Sequence, residues 1–449
     1  MFVDAPGRPL AYTDPWVASL EDRLRALVAA ERRLAYYCEQ VNAHTFRYRV
    51  FNMVQALDAQ PALGASAAWF VRPDLEASMD FVDRADALVI CRTRYDDKIG
   101  QMIARARARG IPVFYDIDDL VFDIRYAHEI GDTIDRSLQC SEEWDWWIGY
   151  IGRLGLTLQH CDEAITTNAF LAARIAEFAP GTKVKVIPNF LNQMQTSVSR
   201  AIYERKSTGL FRRDGRIHVG YFSGTNTHGK DFGVVAGTLS RLLERNEAVD
   251  LHLVGSLIVP GELERHRDRV TSHPIQDFVN LQRLQGSMEI VIAPLRDNVF
   301  TNCKSELKFY EAAIVGTIVV ASPTFAFRNA ISDGETGFLA LPHEWAAKLD
   351  RVLALLEGDG SAYREVANRA HEHVAERYSW ARQGARIAAE IFGGPAARPE
   401  FLKARRLPDL PAHARRQAPQ LSELMEDPRR KLPRCRRATR YFSSRSAER

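Results

Sequence analysis

Residues 290–322, IVIAPLRDNVFTNCKSELKFYEAAIVGTIVVAS, constrain the fold of this chain more than any other stretch. They read as strand, polar loop, helix, glycine stop and strand. The opening run, 290–295, is short and apolar, the pattern of a parallel strand covered on both faces. The helix that follows is apolar almost all the way round, through Leu307, Phe309, Tyr310, Ala312, Ala313, Ile314 and Val315. Burial is therefore expected. The same helix carries Glu306, Lys308 and Glu311, and buried charge is costly unless a partner satisfies it. Gly316 suits the helix C-terminus, and 317–322 returns as a strand. Asp297, Asn298, Thr301, Asn302, Lys304 and Ser305 cluster at the carboxyl end of the first strand, the edge where open α/β sheets place ligands. Ser305 is placed to cap the helix. A cation, hydroxyls and a helix N-terminus together suit a phosphate. A carboxylate one to two turns further on suits sugar hydroxyls.

Strands and helices alternate on both sides of this block. Residues 15–60 read as helical, with EDRLRALVAAERRLAYYCEQ rich in charge, leucine and alanine, and HTFRYRVFNMVQAL apolar at helical spacing. Short apolar runs follow at 87–91, 111–115, 164–166 and 184–187, with a helical pattern at 97–109. Such alternation signals βαβ units and a parallel sheet. The polar, basic stretch 199–214 reads as a linker or domain edge. A second alternation has strands at 218–222, 251–254, 290–293, 318–321 and 337–341. Its helices are expected at 232–245, near 276–285, and at 306–315 and 345–357. Helical runs at 363–378 and 380–392 close the folded part. The expected organisation is a helical region at 1–60 leading into a first domain at 61–205, a second domain at 216–375, a closing helix at 376–393 packed back on the first domain, and a basic tail at 395–449. That tail is rich in Pro and Arg and poor in apolar residues, so it reads as disordered. Its charge suits either an anionic membrane face or plain solvation.

A length of 449 residues allows two to three domains. Hydrophobic residues make up 46% and charged residues 26%, as in globular proteins. The net charge of +3 does not mark the chain as a nucleic-acid binder. No apolar run is long enough to span a bilayer. The start, MFVDAPGRPLAYTDP, has neither the basic end nor the apolar core of a secretory signal. Cys38, Cys91, Cys140, Cys161, Cys303 and Cys435 show no metal-type spacing and read as reduced thiols. A cytoplasmic protein is expected, with contact at the membrane face as an option.

Three constellations carry chemistry. In the second half, IHVGYFSGTNTHGKDF places a small-residue loop between a strand and a helix, an arrangement that turns backbone N–H groups toward an anion. Gly224, Thr225, His228 and Lys230 are its candidate ligands; the alternative is a polar turn with a surface histidine. In the first half, Asp116, Asp118 and Asp119 of YDIDDLVFD follow an apolar strand. They fit a catalytic base, hydroxyl binders, a metal pair, or merely turn and cap chemistry. Arg47 and Arg49 fit an anionic acceptor, or stems lying along a helix face. The segment EEWDWWIGY reads as packing. The histidines form no defensible triad or zinc pattern. No GxGxxG follows the early strands, which disfavours a dinucleotide dehydrogenase.

These residues resemble a family. Two successive Rossmann-like halves resemble the GT-B architecture, an α/β fold whose two parallel sheets face each other across a cleft. The second half resembles the group 1 (family 4) glycosyltransferases through VGYFSGTNTHGKDF, LHLVGS, APLRDNVFTNCKSELKFYEAAIVGTIVVAS and SDGETGFLA, with the YSW of 378–380 similar to the start of the family's closing helix. The similarity spans roughly residues 80–392 and is strongest over 217–341. It is closest to the branch that assembles bacterial surface polysaccharides, rhamnosyltransferases included, whose first half carries an element like YDIDDL.

The resemblance implies retaining transfer of a sugar from a nucleotide-diphosphate-sugar to a glycan or lipid-linked acceptor, with no cofactor and no metal. It implies that Glu311 binds ribose, that Ser305, Glu306 and Leu307 form the diphosphate-binding helix start, and that Lys230, with His228, balances the leaving diphosphate. The family spaces two glutamates with seven residues between them, and the first position falls on Cys303 here. Donor-sugar contacts are therefore expected from Asn302, Lys304 or backbone. Asp116 or Asp118 is the candidate base across the cleft; Arg47, Arg49 and Asp119 are the candidate acceptor ligands. A GT-B nucleotide-sugar epimerase and a non-catalytic scaffold with a degenerate nucleotide pocket are the competing readings.

Overall fold

The computed structural model describes residues 1–5, 8–134, 136, 138–224 and 229–393. Two six-stranded sheets organise them, and every strand pairs parallel to its neighbour. The first sheet runs β2-β1-β3-β4-β5-β6, from β1 (Arg32–Cys38), β2 (Ala65–Phe70), β3 (Ala87–Cys91), β4 (Val113–Asp116), β5 (Glu163–Thr166) and β6 (Lys183–Val186). The second runs β12-β11-β10-β7-β8-β9, from β7 (Ile217–Phe222), β8 (Val249–Val254), β9 (Val270–His273), β10 (Ile290–Ala293), β11 (Ile318–Ala321) and β12 (Phe338–Leu339).

The strands are short apolar runs because each feeds two cores. In β3, Leu88 and Ile90 pack on one face of the sheet while Ala87, Val89 and Cys91 pack on the other. In β10 and β11, Ile290, Ile292, Ile318 and Val320 share one core, and Val291, Ala293, Val319 and Ala321 share the opposite one. Period-2 alternation thus splits an unbroken apolar run between two helical layers. In β10 and β11 the opposed residues are Ile290 with Ile318 and Ala293 with Ala321.

The same logic corrects the reading of 15–60 as helical. A helix does form at Leu20–Leu27, capped by Ser19, whose hydroxyl accepts from the Asp22 N–H. It stops there, and RRLAYYC becomes β1, the strand between β2 and β3. Leu34 to Cys38 are all buried, so the strand shows no polar alternation to betray it. β2, ASAAWF, lacks β-branched residues and gave no strand signal either. The stretch 199–214 is also not an open linker. Gln193–Thr208 is a helix with an Asn192 capping box. Its buried Lys206 donates to the carbonyls of Val315 (2.8 Å) and Gly316 (2.9 Å) and to Thr317 Oγ1 (3.2 Å). Burial pushes its pKa well down, and two carbonyls and a hydroxyl satisfy its amine, so polarity there did not mean solvent.

The last described helix returns to the first domain. Helix Trp380–Phe392 inserts Ile387, Ala388 and Ile391 into the core that holds Val50, Met53 and Leu57. Gly384 makes the approach possible: a Cβ there would sit 2.3 Å from the Ala56 carbonyl oxygen. The tail proposed for 395–449 lies outside the described residues.

Three histidines cross the second sheet as a ladder on one face. His218 Nδ1 lies 2.8 Å from His252 Nε2, and His252 Nδ1 lies 2.9 Å from His273 Nε2. His218 Nε2 faces Asp214 at 3.2 Å, and a carboxylate can only accept. The neutral tautomers are thereby fixed along the row: His252 donates through Nε2 and accepts at Nδ1. Protonating His252 would set two N–H groups against each other. Burial, with His218 and His273 as neighbours, pushes its pKa down to about 3. An unfolded histidine titrates near 6.5, so between about 6.5 and 3 the unfolded chain binds the extra proton and the ladder loses stability as pH falls. We predict that the stability difference between wild type and His252→Asn shifts in favour of the variant on acidification through that window, by up to about 1.4 kcal/mol per pH unit. Urea unfolding at several pH values measures it; a pH-independent difference would refute the ladder's role.

Candidate active site

The carboxyl edges of the two sheets meet, and the residues between them form one seam. Behind β10, Asn298 caps a short helical turn, Val299–Asn302, which replaces the expected open loop. The next helix, Leu307–Ala313, begins at Glu306 rather than Ser305. Ser305 makes no cap; its hydroxyl accepts from Asn189 Nδ2 of the first domain at 3.2 Å.

Glu311 lies at the centre of the seam, 4% exposed. It accepts a hydrogen bond from the Tyr48 hydroxyl of the first domain, and Gln195 Nε2 donates to the same hydroxyl at 3.0 Å. Burial pushes the Glu311 carboxyl up to about 7, although the Tyr48 hydrogen bond, Arg47 and Lys308 pull the other way. Tyr48 sits in a π-helical turn, Arg47–Phe51, a distortion that recurs at functional sites. Lys308, three residues before Glu311, holds its ammonium over the Tyr221 ring, 4.8 Å from the centroid.

Carboxylates of the first domain engage the cations of the second. Asp132 accepts from Lys230 Nζ and from Arg296 Nη1, each at 2.7 Å, and those two hydrogen bonds hold its carboxyl well below the ordinary range. Asp119 lies 3.6 Å from Lys304. Three further hydrogen bonds stitch the seam: Asn298 Nδ2 to Thr133 Oγ1 at 2.8 Å, the Phe300 N–H to Glu129 at 3.1 Å, and Asn168 Nδ2 to the Cys303 carbonyl at 3.0 Å. Gly224 faces the same seam, where a Cβ would come within 3.2 Å of the His44 ring.

Several expected ligands have other work here. Asp116 and Arg49 form a bidentate pair (2.8 and 2.9 Å) at 1% and 0% exposure. Arg49 also donates to the Ile187 carbonyl and to Asn189. To act as base and acceptor ligand, Asp116 and Arg49 would have to leave this buried pair; burial pushes Asp116 up to about 6 even against Arg49. Arg47 pairs with Asp14 at 3.0 Å and stacks on Phe278, which makes it part of the domain packing. Asn302 is consumed by the loop, donating to Asp297 Oδ1 and the Asn298 carbonyl and accepting from the Phe325 N–H. Glu306 turns toward the closing segment, where the Tyr378 hydroxyl donates to it at 2.8 Å, and Leu307 packs against the core. Cys303, at the position of the family's first glutamate, is buried with Phe300 in the core of the first domain. Thr225 and His228 lie outside the described residues.

Asp118 remains at the edge of the seam. Arg92 donates to it at 2.9 Å and the Thr45 hydroxyl at 3.1 Å. Burial would raise its pKa, but Arg92 and Arg49 outweigh that and keep it low. Arg92 directly follows β3 and has φ +40°, a strained conformation for a non-glycine residue of the kind that gathers at functional sites. Sequence reasoning missed Arg92, Tyr48 and Asp132. Arg92 was findable from its place at the carboxyl end of the ALVIC strand. Tyr48 looked like one more apolar position of a helix, and Asp132 gave no signal.

Removing one partner of a buried ion pair strands the other. Arg49→Ala should destabilise the protein by about 3–5 kcal/mol in denaturant titration, whereas an apolar replacement of both Arg49 and Asp116 should cost far less. Equal costs would mean that the pair is not desolvated.

Comparison with known proteins places this geometry. Residues 216–357 match the family model of group 1 glycosyl transferases. A phosphatidyl-myo-inositol mannosyltransferase of Mycobacterium leprae is 43% identical over 70 residues, which is 16% of this chain and 18% of that protein. The chain thus aligns with less than a fifth of that relative's length. Among solved structures, Anabaena HepE in complex with UDP superposes with a TM-score of 0.52 at 14% identity, covering 80% of this chain and 98% of HepE. A glycosyltransferase from Rickettsia africae superposes at 0.53 with 12% identity, covering 81% and 100%. The two-sheet architecture is the GT-B fold.

Proposed function

We propose that this chain is a glycosyltransferase that moves a sugar from a nucleotide-diphosphate-sugar to a glycan or lipid-linked acceptor. The observation that carries the reading is the Glu311 carboxylate. It is buried at the carboxyl edge of the second sheet and held by a tyrosine hydroxyl of the opposite domain rather than by a cation. Burying such a group costs several kcal/mol, a cost that makes sense where a ligand's hydroxyls replace Tyr48. Ribose offers a pair of them. The match of residues 216–357 to group 1 glycosyl transferases puts Glu311 inside the matched region, and the same fold holds UDP in HepE.

Donor entry requires the seam to part, releasing Tyr48 from Glu311 and Asp132 from Lys230 and Arg296. Reclosure over the donor would exclude water and limit hydrolysis. On the acceptor side, Asp118, set by Arg92 and Thr45, is the carboxylate left to orient a hydroxyl. Retention at the anomeric carbon, metal independence, a place in bacterial surface-polysaccharide assembly with a rhamnosyl-type sugar, and work at the cytoplasmic membrane face are the finer parts of this proposal. Among the described residues, no helix is long and apolar enough to cross a membrane.

The test is a panel of UDP-, GDP- and dTDP-sugars, with release of nucleoside diphosphate as the readout and chelator added in parallel. Wild type should release it slowly from one donor without acceptor and faster with acceptor, with or without chelator. Binding with no release from any donor would sink the enzyme reading. Glu311→Gln should abolish nucleotide binding, yet its melting temperature at pH 8 should match or exceed wild type. A carboxyl raised to about 7 favours folding below its unfolded pKa and opposes it as pH rises through 7, so the amide removes a cost at pH 8. A large loss of stability at pH 8 would instead make Glu311 a structural group.

A further inference from the structure

Among the described residues, no hydrogen bond joins Lys308 to a carboxylate. Lys230 and Arg296 share Asp132 across the domains, and Lys304 faces Asp119. The Lys308 ammonium is buried and, among the described residues, has no hydrogen-bond partner. Its described ring contact is Tyr221, on the strand whose carboxyl end opens the loop before helix Gly229–Arg245. A cation over an aromatic face recovers only part of the hydration it has lost. Asp231 in the first turn of that helix and, more weakly, Glu311 attract it without a hydrogen bond, and Lys304 repels it. Burial pushes its pKa down to about 8, so at neutral pH it is still largely a charged group short of an anion.

We propose that Lys308 is the group that holds the diphosphate of the donor, a task that nothing in the sequence reading assigned to it. The inference rests on the nucleotide-sugar reading above and names its phosphate ligand. Its position supports this: it is one turn before Glu311 on the same helix and lies against Tyr221 of β7, within reach of a ligand whose ribose Glu311 holds. The helix start itself is a poor alternative. Ser305 is tied to Asn189 and Glu306 to Tyr378, and a second carboxylate beside a diphosphate would repel it. Lys230 and Arg296 can reach a ligand only after leaving Asp132, whereas Lys308 needs no such release.

The experiment compares wild type, Lys308→Met, Lys308→Gln and Lys308→Arg by calorimetric titration with three probes. These are pyrophosphate, the nucleoside diphosphate that raises the wild-type melting temperature most among UDP, GDP, ADP and dTDP, and its parent nucleoside. Lys308→Met and Lys308→Gln should bind pyrophosphate and the nucleoside diphosphate about 10- to 100-fold more weakly. Both should leave nucleoside affinity within about twofold and keep the wild-type melting temperature or raise it. Lys308→Arg should recover part of the loss. If Lys308→Met does not fold, Lys308→Gln carries the comparison. Unchanged nucleoside diphosphate affinity in the charge-free variants overturns the Lys308 assignment and leaves the transferase reading standing. A parallel loss of nucleoside affinity also overturns it, because that makes Lys308 a support for the whole pocket. Absence of binding by wild type to every nucleoside diphosphate overturns both.

Discussion

The hydrogen bond from Tyr48 to Glu311 is the contact on which the seam between the two domains depends. It joins a π-helical turn of the first domain to a carboxylate buried under the second sheet, and Gln195 fixes the tyrosine from a third element. A carboxylate removed from water must find donors or give up its charge. Here the Tyr48 hydroxyl is the donor and Gln195 holds the tyrosine, so a neutral group rather than a salt bridge joins Glu311 to the first domain. That choice matters physically. A buried salt bridge at this point would be expensive to open, whereas a hydroxyl is readily exchanged for the hydroxyls of a ligand.

The charges around it follow the same pattern. Asp132 on Lys230 and Arg296, and Asp119 on Lys304, are contacts at or near the solvent edge, each worth little alone. They close the two sheets' carboxyl edges on each other while remaining reversible. The deep pair, Arg49 with Asp116, belongs wholly to the first domain and locks β4 to the π-helical turn and the segment after β6. The molecule therefore places this deep ion pair within a domain and its solvent-edge pairs between domains. Lys308 stands outside both groups: among the described residues its buried ammonium has no hydrogen-bond partner.

Much of the fold was legible because parallel strands buried on two faces leave unbroken apolar runs. β3, β10 and β11 were readable from ALVIC, IVIA and IVVA alone, and helices at 97–109, 345–357 and 380–392 from their periodicity. β1 and β2 were not. RRLAYYC continues a charged helical pattern without a break, and ASAAWF has too little β-branched content to stand out. Lys206 misled for a different reason: its satisfaction comes from carbonyls 109 and 110 residues away, which no local window contains.

The sequence by itself determined a two-part α/β chain, the importance of the 290–322 block and the unusual charge on its helix, since hydrophobic period and turn chemistry are local properties. Tertiary structure decided which of the charged residues are available. Asp116 and Arg49 neutralise each other, Asn302 and Ser305 hold loops, Glu306 faces Tyr378, Glu311 faces Tyr48, and Lys308 lies over the Tyr221 ring. Spacing along a chain cannot show this, because the availability of a charge depends on what the rest of the fold brings within about 4 Å of it.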